Sequence, residues 1–553
     1  MKDIQHHLYH RHRSPQWKGT VHHHNDSYLC FSLTLGSRSY LKPVTTMKLN
    51  GVVFTVAVFL CHIWLCSSYS RRKYYKRPVK PNIVFVLVDD LGWDDIGYHN
   101  PDIISPNLNK LANNGIKLDN YYVQPTCTPS RSQLLTGRHL IHMGFQHTNI
   151  KPMEPTGLPL DSPTLPEKLK ESGYTTHLVG KWHQGHYTEK YLPTNRGFDS
   201  FYGLLTGSGN HFTHRRCFLG YCGYDLWNDT TPDLSYKNKR IYSTHLFTKK
   251  AAQLIRKHNT KKPMFLLLSL QAVHTPLKVP LKYKELYKNS WIPSGERRRL
   301  AGMVSCIDES IGYLITLLKK KMMWKNTVFV FSTDNGGSTI KGSSNWPLRG
   351  GKGRYWEGGI RGVGFVYSKL LKRNRIISRQ LIHISDWFPT FVRLAGGSLN
   401  GTKDLAGYDQ WKSISYGTQT KRKEILYNID SCHYPHGDKL SGTKFDTRIK
   451  ASIRFGVWKV MTGKQGRGHW LAPHYMKDLT MQDRDPPEKN VWMFNIARDP
   501  LERKDLSDAY PQKLRMILDR LAFYNKTAIA CHNPYMDLRA DPFANNGVWG
   551  PWM

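Results

Sequence analysis

Two pairs of oxygen-bearing side chains each follow a short apolar run of the chain. Asp89 and Asp90 come directly after PNIVFVLV, and Asp334 and Asn335 stand in FSTDNGG, after TVFVFS. Carboxylate and carboxamide oxygens are the ligands that hard divalent cations such as Ca²⁺ and Mg²⁺ prefer. Asp and Asn are also common in turns. Two such pairs, each beside glycine, favour a metal site over simple turn formation.

Cys127 lies among polar residues in QPTCTPSRSQLLTGR, although a lone cysteine is more often a small core residue. The residues around Pro129 predict the start of a helix, and a helix N-terminus favours negative charge beside it. The spacing from Cys127 to Arg131 offers too few backbone amides for the loop of a thiolate phosphatase. The segment also does not fit a papain-like nucleophile.

Basic side chains stand at three further places. Lys181 and His183 lie two residues apart in GYTTHLVGKWHQG, and on an extended segment such positions face the same side. His274 follows the run MFLLLSL, and Lys352 lies in the glycine-rich loop WPLRGGKGRYWEGG. Each alone would be structural or solvated. Together with a divalent cation they form a site that stabilises the oxygens of a tetrahedral oxyanion ester.

Apolar runs of strand length alternate with helical patterns from Pro81 to about residue 420. The runs Pro81–Val88, Met264–Leu270 and Thr327–Ser332 are continuous, as in strands buried on both faces. Apolar residues recur at three- and four-residue steps between Leu300 and Ile315, which predicts a long helix. The alternation predicts an α/β sandwich with a largely parallel or mixed sheet. Ligands of such sheets bind beyond the carboxyl ends of the strands, where both acidic pairs and His274 stand.

After about residue 424 the pattern changes to strands without intervening helices. ILYNID, SIRFGVWKVMTG and VWMFNIA each predict a strand, and the apolar residues from Leu514 to Leu521 line one helix face. We expect a smaller C-terminal part, an antiparallel sheet with one packed helix. The predicted organisation is a leader that is untranslated or disordered (1–46), a signal peptide (47–70), a basic spacer (71–80), a catalytic domain (81–423) and a C-terminal subdomain (424–553).

The apolar run Gly51–Cys66 indicates entry into the secretory pathway. It is shorter than the ~20 residues that cross a bilayer, and serines follow it, as in a signal peptide that begins at Met47. An uncleaved membrane anchor is the competing interpretation. Sequons at Asn228, Asn400 and Asn525 fit an exported, lysosomal or secreted chain. Three predictions concern the cysteines: a local disulfide between Cys217 and Cys222, a long-range disulfide between Cys432 and Cys531, and a buried thiol at Cys306.

The charge balance limits the class of partner. The chain has 80 Lys and Arg against 41 Asp and Glu, a formal charge of +39, with 39% hydrophobic residues. That apolar content excludes a disordered protein. No zinc-finger spacing, basic zipper or RNA-binding signature accompanies the charge, which disfavours nucleic acid. Attraction to another polyanion, such as a sulfated glycan, and general solubility both remain open.

Two segments resemble the signatures of the sulfatase family. CTPSRSQLLTGR, from Cys127 to Arg138, matches C-x-P-x-R followed by L-T-G-R, and GYTTHLVGKWH, from Gly173 to His183, matches the second signature. The resemblance extends from Pro81 to Met553. SNWPLRGGKGRYWEGGIRGVGFV and the terminal GVWGPWM are most similar to the group of arylsulfatases B, I and J. The resemblance implies an alkaline-phosphatase-like sandwich: a large mixed sheet between helices, plus a smaller C-terminal antiparallel sheet with a packed helix.

The resemblance also implies a role for each candidate residue. Cys127 would be oxidised by the formylglycine-generating enzyme in the endoplasmic reticulum, and the hydrate of the aldehyde would be the nucleophile. Arg131 would hold this hydrate, Lys181 and His183 would position and deprotonate it, and His274 and Lys352 would bind sulfate and assist the leaving oxygen. One Ca²⁺ would be bound by Asp89, Asp90, residue 127, Asp334 and Asn335.

The predicted function is therefore a sulfuric ester hydrolase of the arylsulfatase type. A glycosaminoglycan sugar such as N-acetylgalactosamine 4-sulfate is the expected substrate class. A first alternative is a phosphomonoesterase or phosphodiesterase of the same superfold, which would carry Ser or Thr in place of Cys127 and usually two zinc ions. A second is a non-enzymatic relative that binds sulfated glycans, and it is disfavoured because no position of the site is missing.

Overall fold

The computed structural model describes residues 80–293 and 295–553. The predicted leader, the signal peptide or anchor, and the basic spacer up to residue 79 lie outside the described residues. From residue 80 onward the described chain belongs to one compact unit.

Eighteen strands occur in the described part of the chain. In chain order they are β1 Asn82–Val88, β2 Ile116–Leu118, β3 Tyr121–Tyr122, β4 Thr175–Lys181, β5 Ser200–Leu204, β6 Arg215–Phe218, β7 Tyr221–Tyr224, β8 Trp227–Asn228, β9 Thr231–Pro232, β10 Met264–Leu270, β11 Thr327–Thr333, β12 Gly364–Ser368, β13 Ile376–Ser378, β14 Ile382–His383, β15 Glu424–Asp430, β16 Lys450–Phe455, β17 Trp458–Thr462 and β18 Val491–Asn495.

Ten α-helices accompany them in the same residues. They are α1 Pro106–Asn114, α2 Cys127–Thr136, α3 Leu165–Glu171, α4 Ser243–Lys257, α5 Leu281–Glu285, α6 Glu296–Lys320, α7 Glu357–Ile360, α8 Trp387–Leu394, α9 Trp411–Tyr416 and α10 Pro511–Asn525. Among the described residues only α6 is long and apolar enough to cross a membrane, and 78% of its most apolar stretch is buried in the protein.

The main sheet has ten strands and is mixed, as predicted. Its order is β13-β2-β12-β11-β1-β10-β4-β5-β8-β9. The central strands β11, β1, β10, β4 and β5 run parallel, while β12 and β8 are antiparallel to their neighbours β11 and β5. The carboxyl ends of the parallel strands therefore meet at one edge of the sheet.

Both faces of β1 are covered, which explains its continuous apolar sequence. Val84, Val86 and Val88 pack in the same core cluster as residues of α1, α4 and α6. The alternate residues Ile83 and Phe85 pack with residues of α2, α3 and α8 in a second cluster. Because successive side chains of a strand point to opposite faces, a strand between two helical layers needs apolar residues at every position.

The C-terminal part contains an antiparallel sheet in the order β15-β16-β17-β18. Four apolar residues of α10, from Leu514 to Leu521, pack against it, as expected. The segment SIRFGVWKVMTG, predicted as one strand, is instead the hairpin of β16 and β17. Its turn places Gly456 at φ +60°, a left-handed conformation that glycine adopts without steric cost.

The disulfide predictions are confirmed. Cys217 is bonded to Cys222 and Cys432 to Cys531. Cys127 and Cys306 are free and buried. Two disulfides fit a protein that folds in an oxidising compartment.

Candidate active site

The predicted site residues converge at the carboxyl edge of the central parallel strands. Asp89 and Asp90 follow β1, Asp334 and Asn335 follow β11, and Lys181 is the last residue of β4. These three strands and β10 are consecutive in the sheet, in the order β11-β1-β10-β4. Three further residues come from other segments: Cys127 at the start of α2, His274 after β10, and Lys352 in a loop before α7.

Cys127 is buried, and its Sγ donates a hydrogen bond to Asp89 Oδ1 at 3.3 Å. Burial raises the pKa of the thiol above its ordinary value, and the nearby Asp334 and Asp89 carboxylates raise it further. A thiol must lose its proton to act as a nucleophile. Unmodified Cys127 is therefore a poor nucleophile, despite its position at the start of a helix.

Two buried ion pairs surround Cys127. Lys181 Nζ lies 2.5 Å from Asp89 Oδ2, and both side chains are fully buried. Arg131 donates to Asp334 Oδ2 from Nε at 3.0 Å and from its terminal nitrogen at 2.8 Å. Arg131 also donates to Ser269 Oγ of β10 at 2.6 Å, which fixes the guanidinium plane against the sheet. Ser269 was not among the predicted residues, and its position inside an apolar strand gave little signal.

Asp90 is the centre of a second group of contacts. Lys352 Nζ and Asn335 Nδ2 approach Asp90 Oδ1 at 2.5 and 2.8 Å, and His274 Nε2 lies 3.7 Å from Asp90 Oδ2. Burial alone would raise the pKa of Asp90, but Lys352 and then His274 bring it well below its usual range. Burial lowers the pKa of His274 to about 3, and Asp90 only partly opposes this effect. The site thus pairs an ionised Asp90 with a neutral His274.

Residues of this site fit a hard divalent cation. Asp89, Asp90, Cys127 and His274 place potential ligand atoms within 4.8 Å of one another. Asn335 Oδ1 is buried and has no hydrogen-bond partner among the described residues, which is costly unless a cation or water meets it. Asp334 Oδ1 accepts from the backbone N–H of Asp90 at 3.2 Å, so Asp334 belongs to the same group. Buried carboxylate and amide oxygens match the ligand preference of Ca²⁺ or Mg²⁺.

His183 lies in the site for a reason other than the predicted one. β4 ends at Lys181, and His183 has φ +56°, so strand pleating does not place the two side chains together. Its Nε2 donates to the Ile150 carbonyl at 3.0 Å, whereas its Nδ1 is buried without a partner among the described residues. Burial, followed by the charges of Lys181 and Arg131, lowers the pKa of His183 well below its usual value. The ring is neutral, with Nδ1 free to accept a proton.

A cluster of polar residues that the sequence did not predict lies along the loop next to Cys127. Asn149 Oδ1 accepts from the backbone N–H of Thr128 at 2.9 Å, so residues 146–150 run beside the start of α2. In the same loop, His147 Nδ1 lies 3.1 Å from both carboxylate oxygens of Asp430, the last residue of β15. The backbone N–H of His433 donates to Asp430 Oδ1 at 3.2 Å, and we call His147, Asp430 and His433 the rim cluster. The position of Asp430 at a strand end was its only signal in the sequence.

Comparison with known proteins identifies the family. The family model described as Sulfatase matches residues 81–398, more than half of the chain. The chain belongs to the sulfatase family. The resemblance that both signatures indicated is therefore confirmed.

Similar sulfatases cover most of this chain. Arylsulfatase J of Mus musculus is 46% identical over 483 residues, which are 86% of this chain and 80% of the relative. N-acetylgalactosamine-6-sulfatase of Rattus norvegicus is 33% identical, with 77% of this chain and 81% of the relative covered. The crystal structure of Ps i-CgsB in complex with k-i-k-neocarrahexaose has a TM-score of 0.70 and 27% identity, and the match covers 83% of this chain and 95% of that one.

These relatives establish the chemical class of this sulfatase. It is an enzyme that hydrolyses sulfuric esters, and its fold is the alkaline-phosphatase-like sandwich that was predicted. The similarity to arylsulfatase J agrees with the group that the loop around Lys352 and the C-terminal residues indicated. Both alternatives, a phosphoesterase and a non-enzymatic binding protein, are disfavoured.

Proposed function

We propose that this sulfatase removes sulfate from a sulfated glycan, with a formylglycine made from Cys127 as its nucleophile and one Ca²⁺ as its cation. The observation that carries the proposal is the environment of Cys127. Its Sγ is held at Asp89, next to Lys181 and Arg131, yet burial and two carboxylates raise the pKa of the thiol. A sulfur group in this position needs chemical conversion before it can attack an ester.

Ca²⁺ would be held by Asp89, Asp90, Asp334 and Asn335, together with the oxygen that replaces the Cys127 sulfur. The buried, unpartnered Asn335 Oδ1 and the closely spaced acidic oxygens support this choice. When bound, the cation supplies positive charge that stabilises the oxygens of the sulfate and of the nucleophile. The preference for Ca²⁺ follows from oxygen ligands of several kinds.

The hydrate of formylglycine carries two hydroxyl groups on one carbon, which allows both attack and release. One hydroxyl oxygen would attack the sulfur while the bond from sulfur to the substrate oxygen breaks. The proton that this hydroxyl loses would pass to the substrate oxygen, which would leave as an alcohol. Residue 127 would then carry a sulfate ester. Its second hydroxyl would give its proton to Nδ1 of His183, the carbonyl would form again, and sulfate would leave as the carbon–oxygen bond breaks. A water molecule would then add to the aldehyde and restore the hydrate. A serine could attack but has no second hydroxyl with which to expel sulfate.

The remaining basic residues neutralise and orient the ester. Arg131 lies on α2 with Cys127 and donates to the carbonyl of Lys181 at the end of β4, while Lys352 reaches Asp90 from the loop before α7. Lys352 is the most exposed of the three, with 19% of its side chain accessible, which suits it to contact an incoming sulfate. Because His274 is neutral, it would donate a hydrogen bond to the leaving oxygen rather than a fixed positive charge.

A glycan substrate is supported by relatives and by the rim cluster. N-acetylgalactosamine-6-sulfatase is 33% identical, and the structure of Ps i-CgsB is of a complex with an oligosaccharide. His147, Asp430 and His433 add hydrogen-bonding groups beside the loop that contacts Thr128, where the sugar part of the ester would lie. We assign residues 81–423 to the catalytic domain and residues 424–553, which supply Asp430, to a C-terminal subdomain.

Location in the secretory pathway, in lysosomes or outside the cell, completes the proposal. The two disulfides support it, and Asn228, Asn400 and Asn525 are all exposed, as acceptors of glycans must be. The formylglycine-generating enzyme would act on Cys127 before folding is complete, because this residue is buried in the folded chain.

Mass spectrometry of the secreted protein tests the conversion. The peptide with Cys127 should be about 18 Da lighter than the thiol form, as an aldehyde nucleophile requires. The peptide with Cys306, the other free cysteine, is the control in the same sample and should keep its thiol. Cys127→Ser should abolish turnover or trap sulfate, whereas Cys306→Ser should keep activity. An active enzyme with an unmodified thiol at residue 127 would refute the mechanism.

A further inference from the structure

A cavity of about 380 Å³ lies far from the sulfate site, between α1, α6 and the segment after β12. This volume is within the range of about 300–1,000 Å³ that is usual for small-molecule sites. Trp324 and Tyr367 line the cavity, and their rings are stacked with centroids 5.2 Å apart. The basic residues Lys110, Lys319 and Lys369 line it as well.

The cavity and the active site occupy opposite ends of β11. Trp324 stands just before β11, and Asp334 stands just after it. At ~3.3 Å per residue, the seven residues of β11 separate the two sites by about 20 Å along the strand. One sugar residue therefore cannot touch both sites.

The three segments that form the cavity walls are strongly basic. Residues 103–118, 310–333 and 358–385 contain twelve Lys and Arg and no Asp or Glu. Other stretches of the chain, such as residues 234–284, also lack acidic residues, but these three segments meet around one cavity. A concave surface with charges of one sign concentrates the electrostatic field and attracts ions of the other sign.

The cationic side chains at the cavity are available to a ligand. Lys110, Lys319 and Lys369 are exposed, and within the described ranges none of them forms an ion pair or a side-chain hydrogen bond. Lysines at a helix C-terminus, such as Lys319, also interact favourably with the helix dipole. The helix dipole does not account for Lys369, which lies outside any helix, nor for the absence of acidic residues from all three segments.

We propose that this cavity binds a sulfated segment of a glycan that is not being hydrolysed. The choice of a glycan rests on the proposed function, whereas the choice of an anion rests on the unpaired lysines. The partly buried ring of Tyr367, backed by the buried Trp324, would pack against the apolar face of a sugar ring, and the surrounding ammonium groups would bind sulfate oxygens by charge-assisted hydrogen bonds. The site would hold the enzyme on a sulfated polymer while the active site works on another part of that polymer or on a neighbouring chain.

Binding of a chondroitin sulfate decasaccharide tests the proposal. The full secreted chain with Cys127→Ala prevents consumption of the probe. Lys110→Gln, Lys319→Gln and Lys369→Gln are combined in one cavity variant. The matched control combines Lys237→Gln, Lys477→Gln and Lys504→Gln, which remove the same charge from exposed lysines on other elements. Affinity is measured between 50 and 300 mM salt for each protein.

We expect the cavity variant to bind at least about tenfold more weakly than the control at low salt. The slope of log K against log salt should fall by about 2, because each cation that pairs with a polyanion releases roughly 0.7–0.9 counterion. Equal affinities of the two variants would overturn the proposal. An equal loss of affinity for a single-stranded DNA oligonucleotide of the same charge would also overturn it, in favour of a site for any polyanion.

Aryl sulfate hydrolysis separates this proposal from the proposed function. With Cys127 restored, turnover of a small aryl sulfate reports on the active site alone. If this turnover persists while decasaccharide binding does not depend on the cavity, only the cavity proposal fails. If aryl sulfate is not hydrolysed by any variant but the decasaccharide still needs the cavity lysines, the proposed function fails and the binding site stands.

Discussion

Lys459 is a buried ammonium that two carboxylates share, and its removal gives a sharp test of how the C-terminal part supports the active site. Lys459 Nζ lies 2.9 Å from Glu357 Oε1 and 2.8 Å from Glu502 Oε1, and all three side chains are fully buried. Glu357 belongs to α7, whose Gly359 carbonyl accepts from the N–H of Gly336, next to Asn335. The ion pair of Lys459 with Glu357 thus connects β17 to the loop that carries the candidate metal ligand Asn335.

The pKa values of the two carboxyl groups are shifted in opposite directions, and this determines how the group responds to pH. Burial raises the pKa of Glu502 to about 7, with Lys459 opposing and Glu357 adding to the increase. Burial would also raise the pKa of Glu357, but Lys459 and then Arg361 lower it below its usual value. Below about pH 7, Glu502 is therefore the carboxyl that holds a proton. Since its pKa is higher in the folded than in the unfolded chain, the folded state binds more protons between about pH 4.5 and 7, and stability falls as pH rises through that range.

We expect Lys459→Met to reduce the free energy of unfolding by about 3–5 kcal/mol at pH 8, the usual cost of leaving a buried charge without its partner. The unfolding entropy of about 2.1 cal/mol/K per residue gives about 1 kcal/mol/K for roughly 470 residues, so Tm should fall by about 3–5 °C. At pH 5 the loss should be smaller, because Glu502 is then protonated and only one carboxylate is left unpaired.

Calorimetry at pH 5 and pH 8 measures the effect. Lys464→Met is the matched control, because Lys464 is exposed in the same region and its loss should change stability by no more than about 0.5 kcal/mol. Adding Glu502→Gln to Lys459→Met should restore part of the lost stability at pH 8. A loss equal to that of the control, or a larger loss at pH 5 than at pH 8, would refute the charge assignment.

Three further predictions concern the site, the substrate and the modification. Asp334→Ala should abolish sulfate release and should remove any increase of Tm that Ca²⁺ gives the wild type, because a lost ligand removes the stabilisation by bound metal; an unchanged Tm response to Ca²⁺ would contradict the metal assignment. Asp430→Asn should raise KM for chondroitin sulfate fragments more than for a small aryl sulfate, since only the glycan reaches the rim cluster; equal effects in steady-state kinetics would exclude that role. Asn228→Gln, Asn400→Gln and Asn525→Gln should each remove one glycan mass from the secreted protein, and a mass that is unchanged by glycosidase treatment would show that no sequon is used.

The parts of the fold that could be predicted are those that a short segment determines alone. β1, β10 and β11 are buried on both faces, so each is a continuous apolar run that needs no partner to be recognised. The acidic pairs were found because they stand at the ends of such runs. β2, β3, β8 and β9 have only two or three residues each, and pairing with neighbours rather than local sequence makes them strands.

The parts of the site that could not be predicted depend on contacts between distant segments. Lys352 and Asp90 are 262 positions apart in the sequence, and the folded chain brings the loop before α7 against the end of β1. The same applies to His147 and Asp430, which meet only because β15 lies beside residues 146–150. The two-residue spacing from Lys181 predicted that His183 belongs to the site, but the reason was wrong. The backbone of His183 is left-handed, so the alternation of side chains along β4 does not extend to this residue.

With the proposed Ca²⁺ and formylglycine hydrate in place, the balance of charge in the site would favour a sulfate ester over a phosphate ester. The carboxylates of Asp89, Asp90 and Asp334 are matched by the cations of Arg131, Lys181 and Lys352, and His274 is neutral. These groups sum to about zero, so a divalent cation would leave a charge of +2. A sulfate monoester would contribute −1 and an ionised hydrate oxygen another −1, which would restore neutrality. A phosphate monoester carries about −2 above its second pKa of ~6, so one negative charge would remain in a buried site, where uncompensated charge is costly.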